Sequence, residues 1–142
     1  MRHELHSLVA LVTLVSLLVY LWTCIRVGWA RGRYGVAAPA TTGDPVFERY
    51  YRVQCNTLEW LVVFLPALWL FCLFIDRLFA SPLGDEIGSG LGLLWVLGRV
   101  LYGVAYVRDP GSRAAGFGVQ ALATLTLLIG ATVAAVWSLF AA

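Results

Sequence analysis

The stretch Phe47-Glu48-Arg49-Tyr50-Tyr51-Arg52-Val53-Gln54-Cys55-Asn56-Thr57-Leu58-Glu59-Trp60 runs directly into the apolar block from Leu61 to Ile75 and carries Arg52, Asn56 and Glu59 in with it. On an α-helix these three residues, spaced by four and then three positions, lie on one face. An ionisable side chain inside a hydrophobic span costs about 2.5 to 3.5 kcal/mol on translocon scales, so it persists where it faces a protein interior, a partner group or a wet cavity. The face therefore reads as a site for a polar, charged ligand at the edge of a membrane.

Composition outside this stretch agrees. Of the 142 residues, 61% are hydrophobic and 13% charged, with a mean hydropathy of +0.82; soluble domains carry about 25% charged residues. The chain reads as an all-α membrane protein. A bilayer core about 30 Å thick takes about 20 residues of helix, and four such spans fit, at about 5–27, 57–79, 91–106 and 116–140, the second extending back as helix towards Val46. They nearly use up the chain, so residues 1–142 form a single domain built as a four-helix transmembrane bundle. The turn-rich segment Ala38-Pro39-Ala40-Thr41-Thr42-Gly43-Asp44-Pro45 is the first connection. Ser81-Pro82-Leu83-Gly84-Asp85 closes the second helix and Asp109-Pro110-Gly111-Ser112 the third, with Ser112 a candidate cap for the fourth. The first span is longer than a signal-peptide core and lacks a convincing cleavage site, so it is expected to be retained.

Every basic residue is arginine. Arg26, Arg31, Arg33, Arg49 and Arg52 flank the first connection and Arg108 and Arg113 the third, whereas the second has Arg77 against Asp76, Asp85 and Glu86. The positive-inside rule makes the first and third connections cytoplasmic and puts both termini on the other side, with Arg2 as a small contrary contribution. A net charge of +2 without a free basic helix excludes nucleic acid as a partner. Cys24, Cys55 and Cys72 form no CxxC pair, and His3 and His6 lack further nearby ligands, so neither a redox motif nor a metal site is expected. Cys24 and Cys72 read as small core residues. Cys55 points away from the Arg52 face, which argues against a nucleophile.

The third span supplies a second polar stripe. Arg99, Tyr102 and Tyr106 recur at three and four residues, and Arg113 follows just beyond the next turn. Guanidiniums bind carboxylates bidentately, so the stripe suits a small ligand with carboxylates and a thiol or other anion. The competing reading makes Arg99 a structural partner of Glu59 inside the bundle and the tyrosines interfacial belt aromatics.

The order FERYYRVQCNTLE at Phe47 to Glu59, followed by an apolar helix, and GRVLYGVAYVRDPGSR at Gly98 to Arg113 resemble the superfamily of membrane-associated proteins in eicosanoid and glutathione metabolism (MAPEG). It includes microsomal glutathione S-transferases, leukotriene and prostaglandin synthases, and the lipoxygenase-activating protein. The resemblance implies a homotrimer with glutathione as cosubstrate, bound between neighbouring subunits near the cytoplasmic side. It makes Arg52, Asn56 and Glu59 glutathione ligands, with Gln54 reaching the same molecule from a neighbour. Tyr102, Tyr106 and Arg113 would be further ligands, and Arg99 would anchor the polar interior. Glutathione carries two carboxylates for Arg52 and Arg113, an ammonium for Glu59 and amides for Asn56 and Gln54. Two positions depart from the pattern: Trp60 stands where some members carry tyrosine, and Gly32 where the leukotriene-forming synthase has an arginine near the thiol.

The implied activity is that of a glutathione transferase or peroxidase, in which a guanidinium of Arg31 or Arg113 holds the thiol as thiolate for attack on a lipophilic electrophile or lipid hydroperoxide from the bilayer. Alternatives from other classes are a non-catalytic lipid-binding relative and a structural membrane subunit whose buried charges only set helix register.

Overall fold

A computed structural model describes residues 6–140 as four long helices: α1 (Ser7–Tyr34), α2 (Pro45–Phe79), α3 (Leu83–Arg108) and α4 (Ala114–Phe140), with a single 3-10 turn, Pro110–Arg113, leading into α4. Each of the four is long and apolar enough to cross a membrane. Arg2, His3 and the expected start of the first span at Leu5 lie outside the described residues.

α2 and α3 form the central pair; α1 packs on both from one side and α4 on both from the other. The inward stripes of α2, α3 and α4 meet in a core that includes Phe64, Leu68, Phe71, Trp95 and Leu127, where the Phe64 and Trp95 rings stack with centroids 4.2 Å apart. Leucine and valine also cover the outside: Leu18, Val62 and Leu122 are exposed. An apolar exterior around an apolar core is what a lipid solvent selects. Close backbone approach then replaces the hydrophobic effect as the force joining helices. The α3–α4 seam illustrates this, because a Cβ on Gly98 would lie 2.7 Å from the Gln120 amide nitrogen and 2.9 Å from the Gly116 carbonyl oxygen.

The helices differ from the expected spans at their ends. α1 continues to Tyr34 and stops at Gly35, whose φ of +68° suits glycine. α3 begins at Leu83, eight residues before the expected 91, so Gly84 and Asp85, read as part of the closing turn, belong to its first turn. The reason is packing: Gly84 lies directly on the Cys72 backbone and donates its amide to Asp76, while Asp85 and Glu86 suit the positive end of a helix dipole. The turn itself is only Ala80–Pro82. Ser112 does not cap α4; its hydroxyl donates to the Ala105 and Asp109 carbonyls, and Asp109 accepts from the Gly111 amide instead.

This end of the bundle is tied by carboxylates. Asp85 reaches from α3 to accept the Val9 amide at 3.0 Å and the Leu8 amide at 3.4 Å, capping α1 from another helix. His6 Nδ1 lies 3.2 Å from Asp76 Oδ2.

The opposite end carries most of the arginines. At 1.5 Å per residue, α2 with its 35 residues is about 52 Å long, well beyond the hydrocarbon core. Arg52, Asn56 and Glu59 lie in the half of α2 towards that end.

Candidate functional site

The start of α2 is fixed by its cap. Asp44 Oδ1 accepts the Val46 amide at 2.7 Å and the Phe47 amide at 3.1 Å, Pro45 occupies the first helical position, and Glu48 accepts the Gly43 amide at 3.0 Å. From that start the helical period turns Arg52 and Asn56 towards α3 and α4. Arg49 fastens the same segment to the end of α3, donating to the Val107 and Arg108 carbonyls at 3.2 and 3.1 Å.

Between these elements lies a cleft of about 590 Å3 lined by Arg52 and Asn56 from α2, Tyr102 and Tyr106 from α3, and Arg113, Phe117 and the intervening turn. The Tyr102 and Tyr106 rings stack at 5.5 Å, Arg113 lies over Tyr106 at 5.6 Å, and Phe117 meets Trp60 edge-on at 5.5 Å. Two exposed guanidiniums, two phenols and an amide thus face one space bounded on one side by aromatic rings. The set suits a small anionic ligand with hydrogen-bonding groups, beside an apolar one.

A chain of hydrogen bonds runs from the bundle interior out to the cleft. The Gln120 side-chain carbonyl accepts from Arg99 Nη1 at 2.6 Å, Arg99 Nη2 donates to Asn56 Oδ1 at 2.9 Å, and Asn56 Nδ2 donates to Glu59 Oε2 at 3.2 Å. Arg99 is 1% exposed and its guanidinium lies 4.0 Å from the Tyr102 ring centre. The expected alternative of a direct Arg99–Glu59 ion pair does not occur, because Asn56 stands between them. Both ends of the Asn56 amide are thereby held, which fixes its orientation.

Of the residues expected at a site, Arg52, Asn56, Tyr102, Tyr106 and Arg113 are brought together on the cleft. Glu59 joins through Asn56, and Arg99 acts from behind rather than as part of the lining. Gln54 faces α1, its Nε2 3.5 Å from Tyr20 Oη and from Cys24 Sγ. Arg31 is engaged in the first connection, donating to the Ala40 carbonyl at 2.7 Å with its guanidinium over Phe47. Neither lines the cleft within one chain, and Cys55 does not either. Gln120 and Phe117 were not expected. The signal for Gln120 was present, as the one amide side chain in a helix without charged residues; the structure buries it fully. No group of metal-ligating side chains occurs among the described residues.

This constellation can be set beside known proteins. The model of the MAPEG family matches residues 9–133. The chain belongs to the MAPEG family. Among its MAPEG relatives, human microsomal glutathione S-transferase 2 is 35% identical over 127 residues, covering 87% of this chain and 81% of the relative. Leukotriene C4 synthase of Cavia porcellus is 33% identical over 126 residues, covering 89% and 79%. An uncharacterized protein of Synechocystis is 43% identical over 130 residues, covering 92% and 89%. MAPEG membership together with four apolar helices of spanning length makes this an integral, multi-pass membrane protein.

Proposed function

We propose that this MAPEG protein is a membrane-embedded glutathione transferase, with a peroxidase capacity at the same site. The observation that carries this reading is the convergence of Arg52, Asn56, Tyr102, Tyr106 and Arg113 on one cleft. The relatives named microsomal glutathione S-transferase 2 and leukotriene C4 synthase support it. A lipid tail needs none of those polar groups, so the cleft favours a glutathione enzyme over a passive lipid scaffold. In this reading Arg52 and Arg113 take the glutathione carboxylates, Glu59 its ammonium, and Asn56 its amides.

The chain functions as a homotrimer in which Arg31 and Gln54 of a neighbouring copy complete the site. Their position on the α1 side of the chain, away from its own cleft, is compatible with that role. The first and third connections lie on the cytoplasmic side, where glutathione is supplied from water.

Catalysis rests on charge. A thiol titrates near 8.5, and an adjacent guanidinium lowers that value by favouring the anion. The proton leaves to water, the sulfur lone pair forms a C–S bond with the electrophile, and the carbon's bond to its leaving atom breaks. With a lipid hydroperoxide, two glutathiones supply two electrons; the O–O bond breaks to give alcohol and water, and the sulfurs form a disulfide.

Thermal melting of the purified protein in detergent tests the binding step. Glutathione at about a hundredfold excess over its dissociation constant should stabilise it by about 2.7 kcal/mol. No shift with glutathione alongside a clear shift with a lipid analogue would replace this reading with that of a non-catalytic lipid binder.

A further inference from the structure

Three arginines at the arginine-rich end are half-buried: Arg26, Arg31 and Arg49. Arg31 and Arg49 donate to backbone carbonyls. Arg26 makes no hydrogen bond and no ion pair among the described residues. Its guanidinium is instead clamped between two aromatic rings, 4.6 Å from the Trp22 centre and 4.7 Å from the Tyr50 centre. Nη1 is buried against them without a partner, whereas Nε and Nη2 are not enclosed. The open edge is therefore the one whose two parallel N–H groups match a pair of oxyanion oxygens.

The place of this edge in the bilayer narrows the choice of anion. Arg26 is nineteen residues beyond Ser7, about 28 Å along α1, so it stands one hydrocarbon thickness from the carboxylate-tied end. Trp29, more than half exposed, sits one turn further along against Tyr50 and marks the same interfacial level. Trp22 lies against the Gly103 position of α3, the three clamp residues are half-buried, and none of them lines the cleft of Arg52 and Arg113. A fixed guanidinium fork at headgroup depth, with exposed Leu18, Leu21 and Ile25 below it, meets both the head and the chains of one molecule.

We propose that Arg26, held between Trp22 and Tyr50, binds the phosphate of a membrane phospholipid. The two rings fix the plane of the guanidinium, Nε and Nη2 take two phosphate oxygens, and the acyl chains lie along the leucine and isoleucine surface of α1. The ligand neutralises a cation that the described residues leave without a counter-charge.

Native mass spectrometry of delipidated protein, with dioleoyl phosphatidylglycerol and, as a phosphate-free comparison, dioleoylglycerol, tests this. The phosphatidylglycerol adduct should dominate. Arg26→Gln should weaken it about tenfold or more, with Arg26→Lys, which keeps the charge but loses the fork, in between. Millimolar inorganic phosphate should not displace it, since a free anion lacks the chains. Equal binding of the two lipids, an unchanged affinity in Arg26→Gln, or displacement by inorganic phosphate would overturn the proposal. Should Arg26→Gln not fold, the Arg26 Nε–H resonance of the unmodified protein decides: it should shift with phosphatidylglycerol and not with dioleoylglycerol, and the absence of that difference overturns the proposal equally.

Discussion

Gln120 of α4 accepts a hydrogen bond from Arg99 of α3 at 2.6 Å in the interior of the bundle, and through Arg99 it reaches the Asn56 amide on the cleft. A guanidinium inside a membrane bundle is tolerable only while its donors are matched. Gln120 and Asn56 match Nη1 and Nη2, on either side of α3, while Arg99 Nε and Gln120 Nε2 are buried without a partner.

Gln120→Leu should therefore lower stability by about 1.5 to 3 kcal/mol, the range for a lost hydrogen bond to a charged group. Gln120→Glu, which restores an acceptor, should lose less. Thermal melting in detergent separates them; equal melting temperatures for Gln120→Leu and the unmodified protein would show that Arg99 is satisfied otherwise.

The seam between α3 and α4 gives a second contrast. Gly98→Ala places a methyl group 2.7 Å from the Gln120 amide nitrogen and should cost about 1 to 3 kcal/mol. A Cβ on Gly118, on the same helix pair, meets nothing within 4 Å, so Gly118→Ala should stay within about 0.5 kcal/mol of neutral. Chemical unfolding in mixed micelles checks the pair, and a similar loss for both would attribute the effect to helix composition rather than to the seam.

If the cleft is the glutathione site, Arg52→Ala and Glu59→Gln should each weaken binding by about 1.5 to 3 kcal/mol. Cys55, outside the cleft lining, should be dispensable as Cys55→Ala. Isothermal titration calorimetry measures all three. Equal losses across the set would point to general misfolding of α2.

The thiolate assignment makes a separate demand. Ultraviolet titration of bound glutathione should show a thiol pKa well below about 8.5, and replacing the responsible arginine, Arg113 or Arg31, by leucine should return it towards that value. The other replacement should change affinity more than pKa. A bound thiol that stays protonated at neutral pH would rule out the transferase chemistry while leaving the binding site intact.

Much of this architecture was legible in the order of residues. The spans follow from apolar runs, and the spacing of Arg52, Asn56 and Glu59, and of Tyr102 and Tyr106, follows from the helical period, which survives into the fold unchanged. The early start of α3 was not legible, because Gly84 reads as part of the Ser81–Asp85 turn and the glycines that follow it weaken the helical signal up to Leu91. Gly84, Gly88 and Gly92 are instead the face on which α3 meets Cys72, Leu68 and Val12 of neighbouring helices, a requirement visible only once the partners are known. Gln120 was missed for a similar reason. A lone amide in an apolar helix shows that a partner exists but not that it is Arg99, twenty-one residues away. Asn56 was seen as a ligand, and its second task, separating Arg99 from Glu59, depends on side-chain reach that spacing does not encode.

The length of α2 has one more consequence. A helix about 52 Å long outruns a hydrocarbon layer of about 30 Å, so part of it stands among headgroups or in water. In the proposed reaction glutathione would reach the cleft from bulk solution and the lipophilic reactant by lateral diffusion within a leaflet, so the two concentrations governing turnover would be counted in different units. For the proposed reaction, the rate with a bilayer-dissolved electrophile should follow its mole fraction in the vesicle. Adding inert lipid at constant total electrophile should slow turnover by surface dilution, and a rate indifferent to added lipid would place the second reactant's entry in the aqueous phase.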